Sequence, residues 1–267
     1  MRKVKSSDEK YLLIHNHFSK IARKYHRLRT TDVTPIIFIA RRINKLEHIE
    51  AIDIGCGTGR YDLLLFKYLK PKLRLTCLDS NPDMLDALEK NLMNNGISDF
   101  TSVNAKVGGI PSQDNIYDCV FTFNAVHHFS LLEFLLESDR ILKVGGYIFI
   151  YTRLRDQNRR NIWGRYFPMF NEKETRLYSL NEFRETVEEV PSLHIESVKY
   201  YKYVRMSTII QLIDRARSYH YSTFSMYAPE ELEEAIEGFT RNIEGKFKDP
   251  NRVHWLDENT LFVIREK

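Results

Sequence analysis

His48-Ile49-Glu50-Ala51-Ile52-Asp53-Ile54-Gly55-Cys56-Gly57-Thr58-Gly59-Arg60-Tyr61 is the stretch that decides the fold. A short apolar run, β-branched at Ile49, Ile52 and Ile54, leads into three glycines at alternate positions, after which apolar residues recur at helical spacing. The pattern predicts a strand, a tight turn and the N-terminus of a helix. So sharp a turn demands backbone angles that glycine adopts freely, and it lets a ligand approach the main chain. The N–H groups of the first helical turn then face that ligand. A dinucleotide fingerprint, Gly-x-Gly-x-x-Gly, would need glycine at position 60, where this chain has Arg60. Asp53, two residues before Gly55, suits a ligand with a cationic amine better than a pyrophosphate.

Downstream, Leu73–Leu78 predicts a second strand ending on Asp79-Ser80-Asn81-Pro82. Asp79 lies 20 residues past Gly59, where an α/β nucleotide site places a carboxylate to accept hydrogen bonds from ribose hydroxyls. Asn81-Pro82 opens a helix that holds Met84 in its first turn, placed to pack on an adenine face, and that ends near Gly96. Residues 101–104 and 115–123 read as the third and fourth strands, the latter nearly continuously apolar, as a central parallel strand is. It ends in Asn124-Ala125-Val126-His127-His128-Phe129. Ser130 caps a helix to Leu142, and a Gly145-Gly146 turn opens a fifth strand.

The string from Asp53 to Gly59 resembles the first motif of the class I S-adenosylmethionine (SAM)-dependent methyltransferases, in particular the UbiE-like type. The turn Asn124–His128 resembles that family's fourth-strand end, and Leu142-Lys143-Val144-Gly145-Gly146 resembles another of its hallmarks. The motifs fall in order over residues 50–151. The resemblance implies an α/β fold, a doubly wound Rossmann-like sheet of seven strands, with SAM as cofactor and methyl transfer to a small molecule as activity. It implies cofactor contacts from Asp53, Gly55, Cys56, Gly57, Gly59, Asp79, Ser80, Met84 and Asn124. Aligning on Ile110-Pro111 puts Lys106-Val107-Gly108 where the family carries an acidic residue and then a small one. That departure leaves adenine contact to the backbone near Val107. Phe18-x-x-x-Ala22-x-x-Tyr25 resembles the N-terminal helix that lids the cofactor in UbiE-like and arsenite-type enzymes, the alternative being plain helix packing.

Helical spacing over residues 8–28, and a second helix with Pro35 in its first turn and Thr31 or Asp32 as N-cap, predict a helical lid over 1–46. The SAM-binding core then covers 47–204, with a sixth strand at 194–204. A helical insertion over 205–258, amphipathic at 207–217 and 229–247, separates it from a final core strand in 259–267. Methylation of a protonated nucleophile needs a base. His127 and His128 titrate near neutral pH, and Tyr25 offers a hydroxyl; the alternative for the histidines is core packing or helix capping. Arg153, Arg155, Arg159, Arg160 and Arg165 stand among Trp163, Tyr166, Phe167 and Phe170 in a stretch expected to be irregular. It reads either as an electropositive wall, with Arg29, Arg153 and Arg165 on an anionic or aromatic substrate, or as a solvated loop. Trp163 and Phe167 either stack on that substrate or anchor the loop.

At 267 residues the chain suits one large α/β domain with insertions, or two small ones. A net charge of +4 is slight evidence for an anionic partner. Three cysteines without metal-ligand spacing read as small buried apolar residues, with no metal centre. No apolar run has the length of a membrane span, and Met1–Ser6 lacks the apolar core of a signal peptide, so a cytoplasmic protein without membrane partner is expected. Oligomeric state stays open. Competing readings are methylation of RNA, chiefly tRNA, and SAM binding without catalysis; Arg60 disfavours a nicotinamide dehydrogenase. Against RNA, the chain lacks the Asn-Pro-Pro-Tyr and Asp-Pro-Pro-Tyr tetrapeptides of amino-methylating enzymes.

Overall fold

A computed structural model describes residues 7–267, with side chains from Leu12 onward except His26 and Arg27; the stretch Met1–Ser6, read above for a signal peptide, lies outside the described residues. Helices α1 (Ser7–Leu28) and α2 (Thr34–Arg42) precede β1 (Ile49–Ile54), α3 (Arg60–Leu69), β2 (Leu73–Asp79), α4 (Pro82–Asn94) and β3 (Phe100–Asn104). Then come β4 (Tyr117–Phe123), α5 (Leu131–Ile141), β5 (Leu142–Thr152), and three short helices, α6 (Arg155–Arg160), α7 (Ile162–Tyr166) and α8 (Phe170–Lys173). The chain ends with α9 (Leu180–Glu188), β6 (Leu193–Ser207), α10 (Ile209–Arg217), α11 (Pro229–Lys246) and β7 (Val253–Glu266). Among the described residues, no helix is long and apolar enough to cross a membrane.

The seven strands form one sheet in the order β3-β2-β1-β4-β5-β7-β6. The pairs from β3 through β5 are parallel, and β7 runs antiparallel to β5. Side chains alternate between the faces of a strand, and the burial follows that period. Ala51, Cys119, Phe121, Phe149 and Val263 join Ile36 and Ile39 of α2, Leu65 and Phe66 of α3 and Leu88 of α4 in one core. Ile52, Val120, Ile148, Ile150 and Ile264 join Phe134 and Leu135 of α5 and Phe183 and Val187 of α9 in another. The nearly continuous apolar runs of β4 and β5 follow, because each is covered on both faces.

Two compact units make up the chain. One comprises the residues up to Thr30, Asp156–Thr175 and Lys202–Glu258; the other comprises Thr31–Arg155, Arg176–Tyr201 and Asn259–Lys267. The boundaries at 30/31 and 201/202 differ from the expected 46/47 and 204/205, whereas the one at 258/259 coincides with the expected place. The expected segment 1–46 is divided because α2 packs its isoleucines into the sheet core, whereas α1 belongs with the helical unit. Residues 156–175 belong to that helical unit as well. Trp163, Phe167 and Phe170 are buried there with Leu212 of α10 and Phe239 of α11, Trp163 stacking on Phe239 at 5.2 Å between ring centroids.

Three local expectations are corrected. The stretch after β5 is not irregular but forms α6 to α8, and Trp163 and Phe167 are core residues at 2% and 3% exposure, so neither stands open to stack on a substrate. Gly145-Gly146 is no turn before a strand: β5 starts at Leu142 and runs through both glycines, opposite a register shift between Tyr117 and Cys119 of β4. Neither Thr31 nor Asp32 caps α2, whose N-cap is Val33. Thr31 instead accepts from Arg60 Nη1 at 2.7 Å, and Asp32 from the Tyr151 hydroxyl at 2.6 Å. The cap expected at Ser130 is present, and α9 opens on a full capping box at Ser179. Because Trp163 fills the aromatic core of the helical unit, Trp163→Ala should cost about 3–5 kcal/mol. Urea denaturation measures it, and a loss below about 1 kcal/mol would return Trp163 to the surface role.

Candidate active site

The C-terminal ends of β1, β2 and β4 converge where ligands bind in open α/β sheets. The loop after β1 is tied to β2 by two backbone bonds, Gly55 N–H and Cys56 N–H donating to Leu78 O at 2.8 and 3.1 Å. Gly55 has φ +77°, and a Cβ there would stand 2.6 Å from the Ala125 Cβ, so the loop also abuts the turn after β4. Gly57 has φ +58° and faces open space, with no heavy atom within 4 Å of where a Cβ would lie. One glycine is thus required by contact inside the protein. The other presents bare backbone to whatever occupies the space.

Asp79 closes the β2 end. Its carboxylate accepts from Gly57 N–H and from Asn81 N–H, each at 2.9 Å. Asn81 in turn caps α4, accepting from Met84 N–H at 3.2 Å. Ser80 is half-buried beside Asp79, while Met84 is 2% exposed with its side chain turned inward. Val107 lies in a one-turn 3₁₀ helix, Val107–Gly109, with its side chain in the core. Cys56 is half-buried in the loop, and Cys77 and Cys119 are buried; all three are free thiols.

Two carboxyl groups lie beneath the loop: Asp53, expected from the sequence, and Asp62, which was not. Asp53, on β1, is 1% exposed, and Asp62, in the first turn of α3, is fully buried. Asp53 Oδ1 and both Asp62 carboxylate oxygens are buried without a hydrogen-bond partner. Burial drives the Asp53 carboxyl well above the usual carboxylate range, and the neighbouring Asp62 and Asp79 add to the rise. Burial likewise raises Asp62. Both carboxyl groups are therefore harder to ionise than an exposed carboxylate. Asp62 was missed because a lone acidic residue in a helix's first turn ordinarily signals a dipole contact.

Asn124 ends β4 in the left-handed region at φ +56°, which Asn tolerates better than most residues. Its N–H donates to Tyr151 O at 2.7 Å and its side-chain amide to the Tyr61 hydroxyl at 3.3 Å. Tyr61 stacks on Phe123 at 4.5 Å between centroids. The hydroxyl of Tyr151 and the amide of Asn259 both donate to Asp32, a buried cluster drawn from three distant parts of the chain. His127 and His128 lie in a short 3₁₀ turn with rings 4.1 Å apart. His128 Nδ1 is 3.3 Å from Arg176 Nη1. A guanidinium can only donate, so Nδ1 accepts and the His128 proton sits on Nε2.

The structure therefore brings Asp53, the glycine loop, Asp79, Ser80, Asn124, His127 and His128 to one edge of the sheet unit. Arg153 is half-buried in the same unit. Tyr25, Arg29 and Arg165 belong to the helical unit, Arg165 exposed on α7. The electropositive wall does not form from Arg155, Arg159 and Arg160, because each faces a carboxylate: Glu182, Asp156 and Glu258 respectively.

Two consequences are measurable. Gly55→Ala should destabilise the fold by about 2–4 kcal/mol, adding overpacking against Ala125 to backbone strain. Gly57→Ala should cost only about 1–2 kcal/mol of strain, and urea denaturation separates them. Because Asp53 and Asp62 titrate above their unfolded values, their contribution is most favourable below the ordinary carboxylate range and is lost as pH rises. The thermal midpoint of Asp62→Asn relative to wild type should accordingly climb between about pH 4 and pH 8. A flat difference would mean that burial does not raise the titration of Asp62.

Residues 52–150 match a family model described as a methyltransferase domain. A demethylmenaquinone methyltransferase from Anoxybacillus flavithermus is 26% identical over 139 residues, covering 50% of this chain and 59% of that protein. The ubiquinone/menaquinone biosynthesis C-methyltransferase UbiE of Bartonella tribocorum is 31% identical over 107 residues, covering 38% and 40%. The chain thus spans less than two thirds of the length of these curated relatives. In structure, the YcgJ protein of Bacillus subtilis aligns with 88% of this chain and 98% of its own at a TM-score of 0.62 and 13% identity, a likeness of fold. Strand order, glycine loop and family match agree: residues 52–150 are similar to a methyltransferase domain and contain the glycine loop, Asp79 and the turn after β4.

Proposed function

We propose that the sheet unit binds SAM and that the chain transfers its methyl group to a small-molecule acceptor. The observation that carries this reading is the pairing of Asp79, already fixed by two backbone N–H groups, with the open left-handed backbone at Gly57. The unpartnered, buried Asp53 Oδ1 fits the cofactor's cationic amino group, which would supply the missing donor and favour the ionised carboxylate. The Asp79 carboxylate at the end of β2 fits ribose hydroxyls, and the backbone at Val107 fits the adenine edge. When bound, SAM supplies an activated methyl on a sulfonium. The chain's own task is to orient the acceptor and keep water out.

The two histidines then have different roles. With its proton on Nε2, His128 would donate to the methyl acceptor and orient it, while His127 is the candidate base that takes the acceptor's proton. The named activities of the two relatives, both on quinone-pathway molecules, support a small-molecule acceptor. The pairing of Arg155, Arg159 and Arg160 with carboxylates removes charge that an RNA backbone would need.

Two experiments test the reading. Asp79→Ala should weaken SAM binding by about 1–3 kcal/mol in calorimetry, the scale of losing charged hydrogen bonds; unchanged affinity would mean that the ribose is held elsewhere. Incubation with methyl-labelled SAM and either a metabolite extract or total RNA should put label in the metabolite fraction. Label in RNA alone would favour the nucleic-acid reading, and no label in either would favour SAM binding without transfer.

A further inference from the structure

In the helical unit, Tyr25 lies in the last turn of α1 and Arg29 directly follows the helix, its N–H donating to Tyr25 O at 3.2 Å. Arg29 is half-buried. Its guanidinium carbon stands 4.2 Å from the centroid of the Tyr221 ring and 5.8 Å from that of Tyr25. Nη1 donates to the His220 carbonyl at 3.0 Å. Together these contacts fix the orientation of the planar group and use only one of its corners. Arg160, Arg205, Arg217 and Arg241 of the same unit each face a carboxylate. Arg29 faces none among the described residues, and its Nε and Nη2 donate to no acceptor there. A half-buried guanidinium with a free two-donor edge matches a carboxylate in geometry and in charge.

We propose that the Nε/Nη2 edge of Arg29, between the rings of Tyr25 and Tyr221, is a binding site for the carboxylate of a planar small molecule. One guanidinium balances one negative charge, so a monoanionic carboxylate is favoured over a dianionic phosphate, which would be left with uncompensated charge in a partly dry site. The two tyrosine rings supply apolar walls for an aromatic or unsaturated body attached to the carboxylate. The proposal concerns the helical unit alone and does not depend on methyl transfer.

The probes are benzoate, benzyl alcohol and inorganic phosphate, titrated separately into the full chain by calorimetry. Benzoate should bind at least about tenfold more tightly than either other probe. Arg29→Gln should weaken it by about tenfold or more, with Arg29→Lys in between. In the unmodified chain, benzoate should also protect Arg29 from phenylglyoxal, read by peptide mass, which keeps the test open if the variants fold poorly. Equal binding of all three probes, benzoate affinity unchanged in a folded Arg29→Gln, or no protection of Arg29 would overturn the site. SAM titrated into the same samples separates the two readings: SAM binding without benzoate binding defeats this site alone, and the reverse defeats the cofactor reading alone.

Discussion

The carboxylate of Asp79 joins two loops that would otherwise be independent. By accepting from Gly57 N–H and Asn81 N–H, it fixes the turn after β1 against the start of α4. The rest of the site hangs on that link. Gly55 sits against Ala125 because the turn is drawn toward β2, and Leu78 O secures the same turn through two further bonds. A charged acceptor on two backbone donors makes stronger bonds than a neutral one would. In the proposed function the same group that holds the loop also takes the ribose, so that binding and folding would share one carboxylate.

Beneath that loop the balance is reversed. Asp53 and Asp62 are buried with oxygens that no protein donor reaches, which is costly for ionised groups. Stability alone would favour apolar residues in both places. In the proposed function a cationic group on the ligand would supply the donor that these oxygens lack. Asp32 shows the opposite solution, its carboxylate satisfied by Tyr151 and Asn259.

What could be read from the sequence was what depends on neighbours in the chain. The strand into Gly55–Gly59, the cap at Asn81, the capping box at Ser179 and the placement of Asp79 all rest on spacings of a few residues or on a single βαβ unit. Contacts between distant residues were not legible. Arg160 meets Glu258 and Asp32 meets Tyr151 across about a hundred residues, and no local pattern announces either. The aromatic stretch around Trp163 looked irregular because its polar residues dominate the count, while its burial is decided by α10 and α11. Asp62 and Arg176 belong to the same class: ordinary residues by position, made significant by what surrounds them.

The central claim is that the Gly55–Gly59 turn, held by Asp79, seats the cofactor. Amide hydrogen exchange of the full chain with and without saturating SAM tests it most directly. The account predicts added protection at the amides of residues 55–60 and 80–82, with the distal strands unchanged. Protection confined to other segments, or none at saturating SAM, would contradict it.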